Sequence, residues 1–184
     1  MPEGLASFPA CRSRAVFLRD MLERFPDLFE GDGIDVPLQG REAADIDPDD
    51  WMPSVEVVLA LTMVRDRVHA TDDEFLAWNY ERQLRIYRRP LFRALMLLFS
   101  PTLLFMSATR RWKTFHEGSE LLTSGDKRSA QVTLAYPPGL YSRPFRVSLV
   151  ASFRAALTAC RAEQQYADLV DDEPGQTRYA IGWG

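Results

Sequence analysis

The feature that most constrains this chain is a change of hydrophobic period near Gly118. Before it, apolar residues recur at helical spacing, and after it they alternate as in strands. Upstream, Phe17, Leu18, Met21, Leu22, Phe25, Leu28 and Phe29 form one stripe and predict a helix from near Ser13, ended by Gly31 and Gly33. Asp49 or Asp50 caps a second helix through Val55, Val58, Leu59, Thr62 and Val64. Thr71 and Glu74 have capping-box spacing for a third, through Phe75, Trp78, Tyr80 and Leu84 towards Tyr87. Pro90 stops that helix or begins a kinked continuation, and Ser100-Pro101 opens another over 101–112. Residues 31–50 combine Gly, Pro and many acids without a helical period, so a mobile surface loop is expected there.

Downstream, Ser119–Thr123 and Ala130–Tyr136 read as a hairpin joined by a polar turn, and Pro137-Pro138-Gly139 closes its second strand. Phe145, Leu149, Val150, Phe153, Ala156, Leu157 and Cys160 mark an amphipathic helix. Tyr166–Asp171 and Thr177–Trp183 then pair around Glu173-Pro174-Gly175. The element order is α+β: a helical N-terminal lobe, about 11–112, then a small antiparallel sheet in β-β-α-β-β order, about 118–184. At 184 residues the whole chain is expected as one domain.

Charge is unevenly spread. Residues 1–81 carry a net −11, 82–161 a net +11 and 162–184 a net −4. The basic middle is expected to be compensated mainly within the protein, with an anionic ligand or acidic partner as the alternative. Arg82, Arg85 and Arg89 share a helical face, flanked by Arg88 and Arg93, and are the candidate partner-binding residues for a protein or a second copy of the chain. Arg110, Arg111 and Lys113 form a second cluster. With overall charge −4 and no recognition-helix motif, nucleic acid is not expected. Cys11 and Cys160 are far apart and outside any C-x-x-C pair, so inert reduced thiols are expected. The N-terminal residues lack a secretory pattern, which points to the cytoplasm, and the greasy run Leu91–Met106 is too short and interrupted to span a bilayer.

No P-loop, dinucleotide fingerprint or G-x-S-x-G elbow is present, and the two histidines, His69 and His116, have no metal-site spacing. An enzyme is therefore not expected; the one constellation it could use is His116, Glu117 and Glu120. Either histidine could ligate a haem iron, His116 the better placed because Trp112 and Phe115 adjoin it, whereas the plainer role for each is a hydrogen-bonded structural histidine. Twenty-one aromatic residues exceed slightly what such a core needs, and a cavity between helices and sheet is the natural site for a small apolar ligand.

The runs D-P-D-D-W (47–51), Y-R-R-P-L-F-R-A-L (87–95), W-K-T-F-H-E-G (112–118), V-T-L-A-Y-P (132–137) and T-R-Y-A-I-G-W (177–183) resemble a myxobacterial paralogous family of unknown function over about residues 45–184. At greater distance the chain is similar to haem-nitric-oxide-binding and 4-vinyl-reductase-like sensor domains. In the haem-binding relatives a Tyr-x-Ser-x-Arg run holds the propionates and a helix histidine ligates iron. The nearest counterpart here is Tyr141-Ser142-Arg143, without the intervening residues, and no haem ligand is carried over. The resemblance implies a bacterial signalling or sensing domain, non-catalytic, with no cofactor named and a haem-based gas sensor as one alternative. Its candidate ligand-binding residues are Trp112, Phe115, His116, Tyr141 and Arg143.

Overall fold

The computed structural model describes residues 7–30, 38, 40–88 and 99–184. Their elements follow in the order β1 (Arg12–Arg14), α1 (Val16–Arg24), a 3-10 turn (Ala43–Asp45), β2 (Trp51–Pro53), α2 (Ser54–Val68) and α3 (Asp72–Arg88). There follow α4 (Pro101–Met106), α5 (Ala108–Phe115), β3 (His116–Glu117), β4 (Glu120–Gly125), β5 (Ser129–Ala135), α6 (Arg143–Ala159), β6 (Tyr166–Glu173) and β7 (Gln176–Gly182). The chain is α+β, with the helices first and the larger sheet last. Among the described residues no helix is long and apolar enough to cross a membrane.

The helix starts obey local chemistry. Thr71 Oγ1 accepts from Glu74 N (3.2 Å) while Glu74 Oε2 accepts from Thr71 N (3.3 Å) and Ala70 N (2.8 Å), the reciprocal bonds of a capping box. Ser100 caps α4 by accepting from Leu103 N, and Ser142 caps α6 by accepting from Phe145 N, each with a proline in the first turn.

β4-β5-β7-β6 form an antiparallel sheet, with Leu121 opposite Leu134, Val132 opposite Tyr179 and Ala167 opposite Ile181. Those six side chains are all buried and make one face apolar. α6 lies between this sheet and α3. Phe153 meets Tyr179 at 5.3 Å on the sheet side, while Asn79 Nδ2 donates to Ser148 O (2.8 Å) and Tyr80 pairs with Thr158 (3.0 Å) on the other. A bulge between Leu169 and Asp171 leaves Val170 exposed on the edge strand, and the acids around it discourage further strand addition.

Three expectations are corrected. The first stripe is not one helix from Ser13 to Phe29: Ser13 sits in β1, and α1 ends at Arg24 because Pro26 disfavours helical backbone at Phe25, which takes φ −130° and ψ 72°. Leu28 and Phe29 remain buried in the turn that follows. Neither Asp49 nor Asp50 caps α2: β2 intervenes, Pro53 occupies the cap position and the helix starts at Ser54. The helix expected over 101–112 is two, broken at Ser107, whose hydroxyl donates back to Leu103 O (2.8 Å) and Leu104 O (3.0 Å). A second sheet, β2-β1-β3, was not anticipated; it pairs Ser13 with both Met52 and His116. Of the loop expected over 31–50, residues 31–37 and 39 lie outside the described residues.

Candidate functional site

α5 supplies Trp112 and Phe115, and its last turn runs straight into β3, which supplies His116. Gly118 then turns the chain at φ 74°, where a Cβ would come within 2.8 Å of Cys11 Cα and 2.7 Å of Ala10 O. Only glycine fits so close to the backbone entering β1, and the turn delivers Ser119 to the same interior. From the other side, the segment before α6 brings Tyr141, and its first turn brings Phe145.

These rings form two stacks at right angles. His116 is sandwiched between Trp112 (3.9 Å, 22°) and Phe17 (5.4 Å, 10°). Tyr141 stacks on Phe145 (4.0 Å, 9°). The stacks meet edge to face, Trp112 with Tyr141 at 6.5 Å and 90°, and His116 with Phe145 at 6.3 Å and 89°. Phe115, more than a third exposed, tilts against Phe17 at 5.8 Å, and Tyr136 tilts against Tyr141 at 5.0 Å.

Polar atoms inside this block are paired. Ser13 Oγ lies 3.0 Å from His116 Nδ1 and 2.8 Å from Ser54 Oγ, so β1, α2 and β3 share one hydrogen-bonded chain. Ser119 Oγ accepts from Trp112 Nε1 (3.0 Å) and lies 2.8 Å from the Tyr141 hydroxyl. Burial away from any carboxylate pushes the His116 imidazole down to about 3, so it is neutral at physiological pH. Burial likewise pushes the Tyr141 phenol above its usual range.

Of the candidate ligand residues, Trp112, Phe115, His116 and Tyr141 are brought together at this seam between the helices and the sheet, and Arg143 is not. Arg143 is 68% exposed and paired with Asp72, which also takes Arg65, and the two arginines hold that carboxyl below its usual range. Ser13, Phe17, Ser54, Ser119, Tyr136 and Phe145 complete the block and were missed as site residues. The only available signal was the Ser142-Arg-Pro-Phe145 cap, which aims Phe145 at Tyr141. An open concavity of about 290 Å³ lies elsewhere, lined by Arg24, Phe25, Leu28, Arg67 and Val68 among others, and none of the candidate ligand residues borders it.

The candidate partner face is also altered. Arg82 is buried at 5% exposure because it follows Phe75 and Asn79 on the inward side of α3; it pairs with Asp20, and its guanidinium lies 5.6 Å from the Trp78 ring centre. Arg85 and Arg88 are exposed, and Arg89 lies outside the described residues. Arg146–Asp172 and Arg154–Asp168, with Arg82–Asp20 and Arg143–Asp72, tie the basic middle of the chain to both acidic ends. Among the described residues no three His, Cys, Asp or Glu side chains converge as metal ligands, and Glu117 and Glu120 are exposed while His116 faces inward.

Haem can be tested against this geometry. Ser13 on Nδ1 leaves Nε2 for a metal, as a ligating histidine requires. Yet the ring standing perpendicular to the imidazole is Phe145, backed by Tyr141; the Tyr141 hydroxyl is taken by Ser119, and Arg143 stands at the surface. The described residues therefore do not fit a porphyrin and its propionates.

No protein-family model matches the chain, and no characterised protein is detectably similar to it in sequence. Solved structures are similar to it in fold. The Fe(II) unliganded H-NOX protein from K. algicida shares 8% identity with it over 94% of this chain and 96% of that one, at a TM-score of 0.60. A mutant of the same protein gives 8% identity, 93% and 96% coverage and a TM-score of 0.61. A mutant T. Tengcongensis H-NOX gives 14% identity, 92% and 97% coverage and a TM-score of 0.51. At such identities the likeness is one of architecture: along nearly its whole length this chain has the fold of the H-NOX domains.

Proposed function

We propose that the chain is a non-catalytic regulatory domain that senses a small apolar molecule at the seam between its helices and its sheet. The observation that carries this reading is the pair of perpendicular ring stacks. Phe17 on α1, Trp112 on α5, His116 on β3 and Phe145 on α6 meet there, so a ligand that parts them moves both layers at once. Support also comes from the fold it shares with the haem-nitric-oxide/oxygen-binding domains. Interfaces between packed layers of this kind switch between discrete arrangements, which is what a sensor needs.

The test is a titration with the neutral apolar dye Nile red, followed by dye fluorescence and by thermal melting. Saturable binding that raises the melting temperature and is weakened at least tenfold in Phe115→Ala is expected. Absence of saturable binding, or binding indifferent to every seam residue, overturns the reading. A second reading, an interaction face for an acidic protein partner, is favoured by Arg85 and Arg88, which are exposed on α3 and form no ion pair among the described residues. For that reading, Arg85→Glu combined with Arg88→Glu weakens association in a salt-dependent way.

A further inference from the structure

We propose that Phe145 and Tyr141 take the place of a porphyrin in this fold, so that the domain is complete without haem and does not take it up. The inference deepens the sensor reading and rests on it for the choice of site. An imidazole nitrogen binds a metal along a lone pair in the plane of its ring, so a porphyrin ligated by His116 lies roughly perpendicular to that imidazole. The ring that meets His116 at 89° is Phe145, with centroids 6.3 Å apart, and Tyr141 lies nearly parallel behind it at 4.0 Å and 9°. Two protein rings thus stand beside the buried histidine at the angle to its imidazole that a flat cofactor would take.

The surrounding contacts belong to a finished core. Trp112 is held over the imidazole by its hydrogen bond to Ser119, and Ser119 also holds Tyr141, so both stacks are locked by one hydroxyl. Arg146, the cation nearest to Tyr141 in sequence after Arg143, donates to the Tyr141 carbonyl and pairs with Asp172. Neither arginine is left to take a carboxylate from a ligand, since Arg143 is paired with Asp72. Ser13 engages His116 only through Nδ1, and Nε2 is outside that bond. What excludes haem on this account is occupied space, and that makes the exclusion reversible by mutation.

The experiment titrates haemin into the full chain and reads the Soret band, with native mass spectrometry at one equivalent. The wild type is expected to give no break at one equivalent and to stay at its bare chain mass. Phe145→Ala is expected to gain saturable uptake, and adding His116→Ala to it should remove the band. Tyr141→Ala, which removes the second ring of the stack, carries the same test if Phe145→Ala loses its far-UV circular dichroism. Stoichiometric haem binding by the wild type that is lost in His116→Ala overturns the proposal. So does failure of the folded variant, Phe145→Ala or in its place Tyr141→Ala, to take up haem, because space would then not be what excludes it. Nile red binding is read separately, so the sensor reading and this inference can each fail alone.

Discussion

The chain builds two histidine–tryptophan pairs and treats them differently. At the seam, His116 and Trp112 stack at 3.9 Å, and each ring has a nitrogen bonded to a serine, Nδ1 to Ser13 and Nε1 to Ser119. At the corner between α2 and α3, His69 and Trp78 sit 5.4 Å apart at 39°, and His69 Nε2 and Trp78 Nε1 are buried without a hydrogen-bond partner among the described residues. The same two side chains thus give one satisfied core and one unsatisfied corner. The difference lies in what long-range neighbours bring: β1 and the Gly118 turn carry serines into the seam, whereas the corner meets the rings of Phe25 and Phe75. A buried donor left unpaired costs about 1–3 kcal/mol, so stability is expected to be concentrated at the seam and weaker at the corner.

The most severe way to break this contrast is Trp112→Ala, which removes the largest ring of the seam. It should cost about 3–5 kcal/mol in urea unfolding. The same substitution at the half-buried Trp78 should cost clearly less; equal losses would erase the distinction.

The pH dependence comes next. Native His116 stays neutral down to about 3, while the unfolded histidine takes its proton near 6.5. Between those values the unfolded state holds more protons, so stability falls as pH drops through that window, by up to about 4 kcal/mol. Comparing wild type with His116→Asn isolates this contribution, and the difference between them should shrink towards low pH. His69 is shifted in the same direction by burial but is half-exposed, so His69→Asn should leave the profile closer to wild type.

Ser119→Ala tests the partner supply directly. It strands the Trp112 indole and the Tyr141 hydroxyl together and should cost about 1–3 kcal/mol, with a loss of near-UV circular dichroism. The smallest change is expected from Trp78→Phe, which deletes a nitrogen with no partner among the described residues: stability should stay within about 1 kcal/mol of wild type or rise. A large loss there would mean that the corner is satisfied after all.

Much of the fold was legible. Caps at Thr71 and Ser100 act through residues three apart, and the alternation in β4, β5 and β7 needs no knowledge of the partner strand. The breaks in the pattern were less so. β1 and β2 are three residues each, too short to show a period, and they exist because Ser13 pairs with Met52 and His116. At the seam, Trp112, His116 and Tyr141 stood out by residue type, whereas Ser13 and Ser119 carried no signal, since a serine is ordinary until it is buried. Arg82 misled for a related reason: helical spacing groups it with Arg85, but its position beside Phe75 and Asn79 turns it inward onto Asp20.

By itself, then, the sequence determined the α+β class, the β-β-α-β-β order and the helix starts at Thr71 and Ser100, because periodicity and capping act within a few residues. Only the tertiary structure decided which polar groups meet. Ser13 and His116 are 103 residues apart, and Asp20 and Arg82 are 62 apart. Such pairs are made by packing a whole lobe against a sheet, and no local pattern records them.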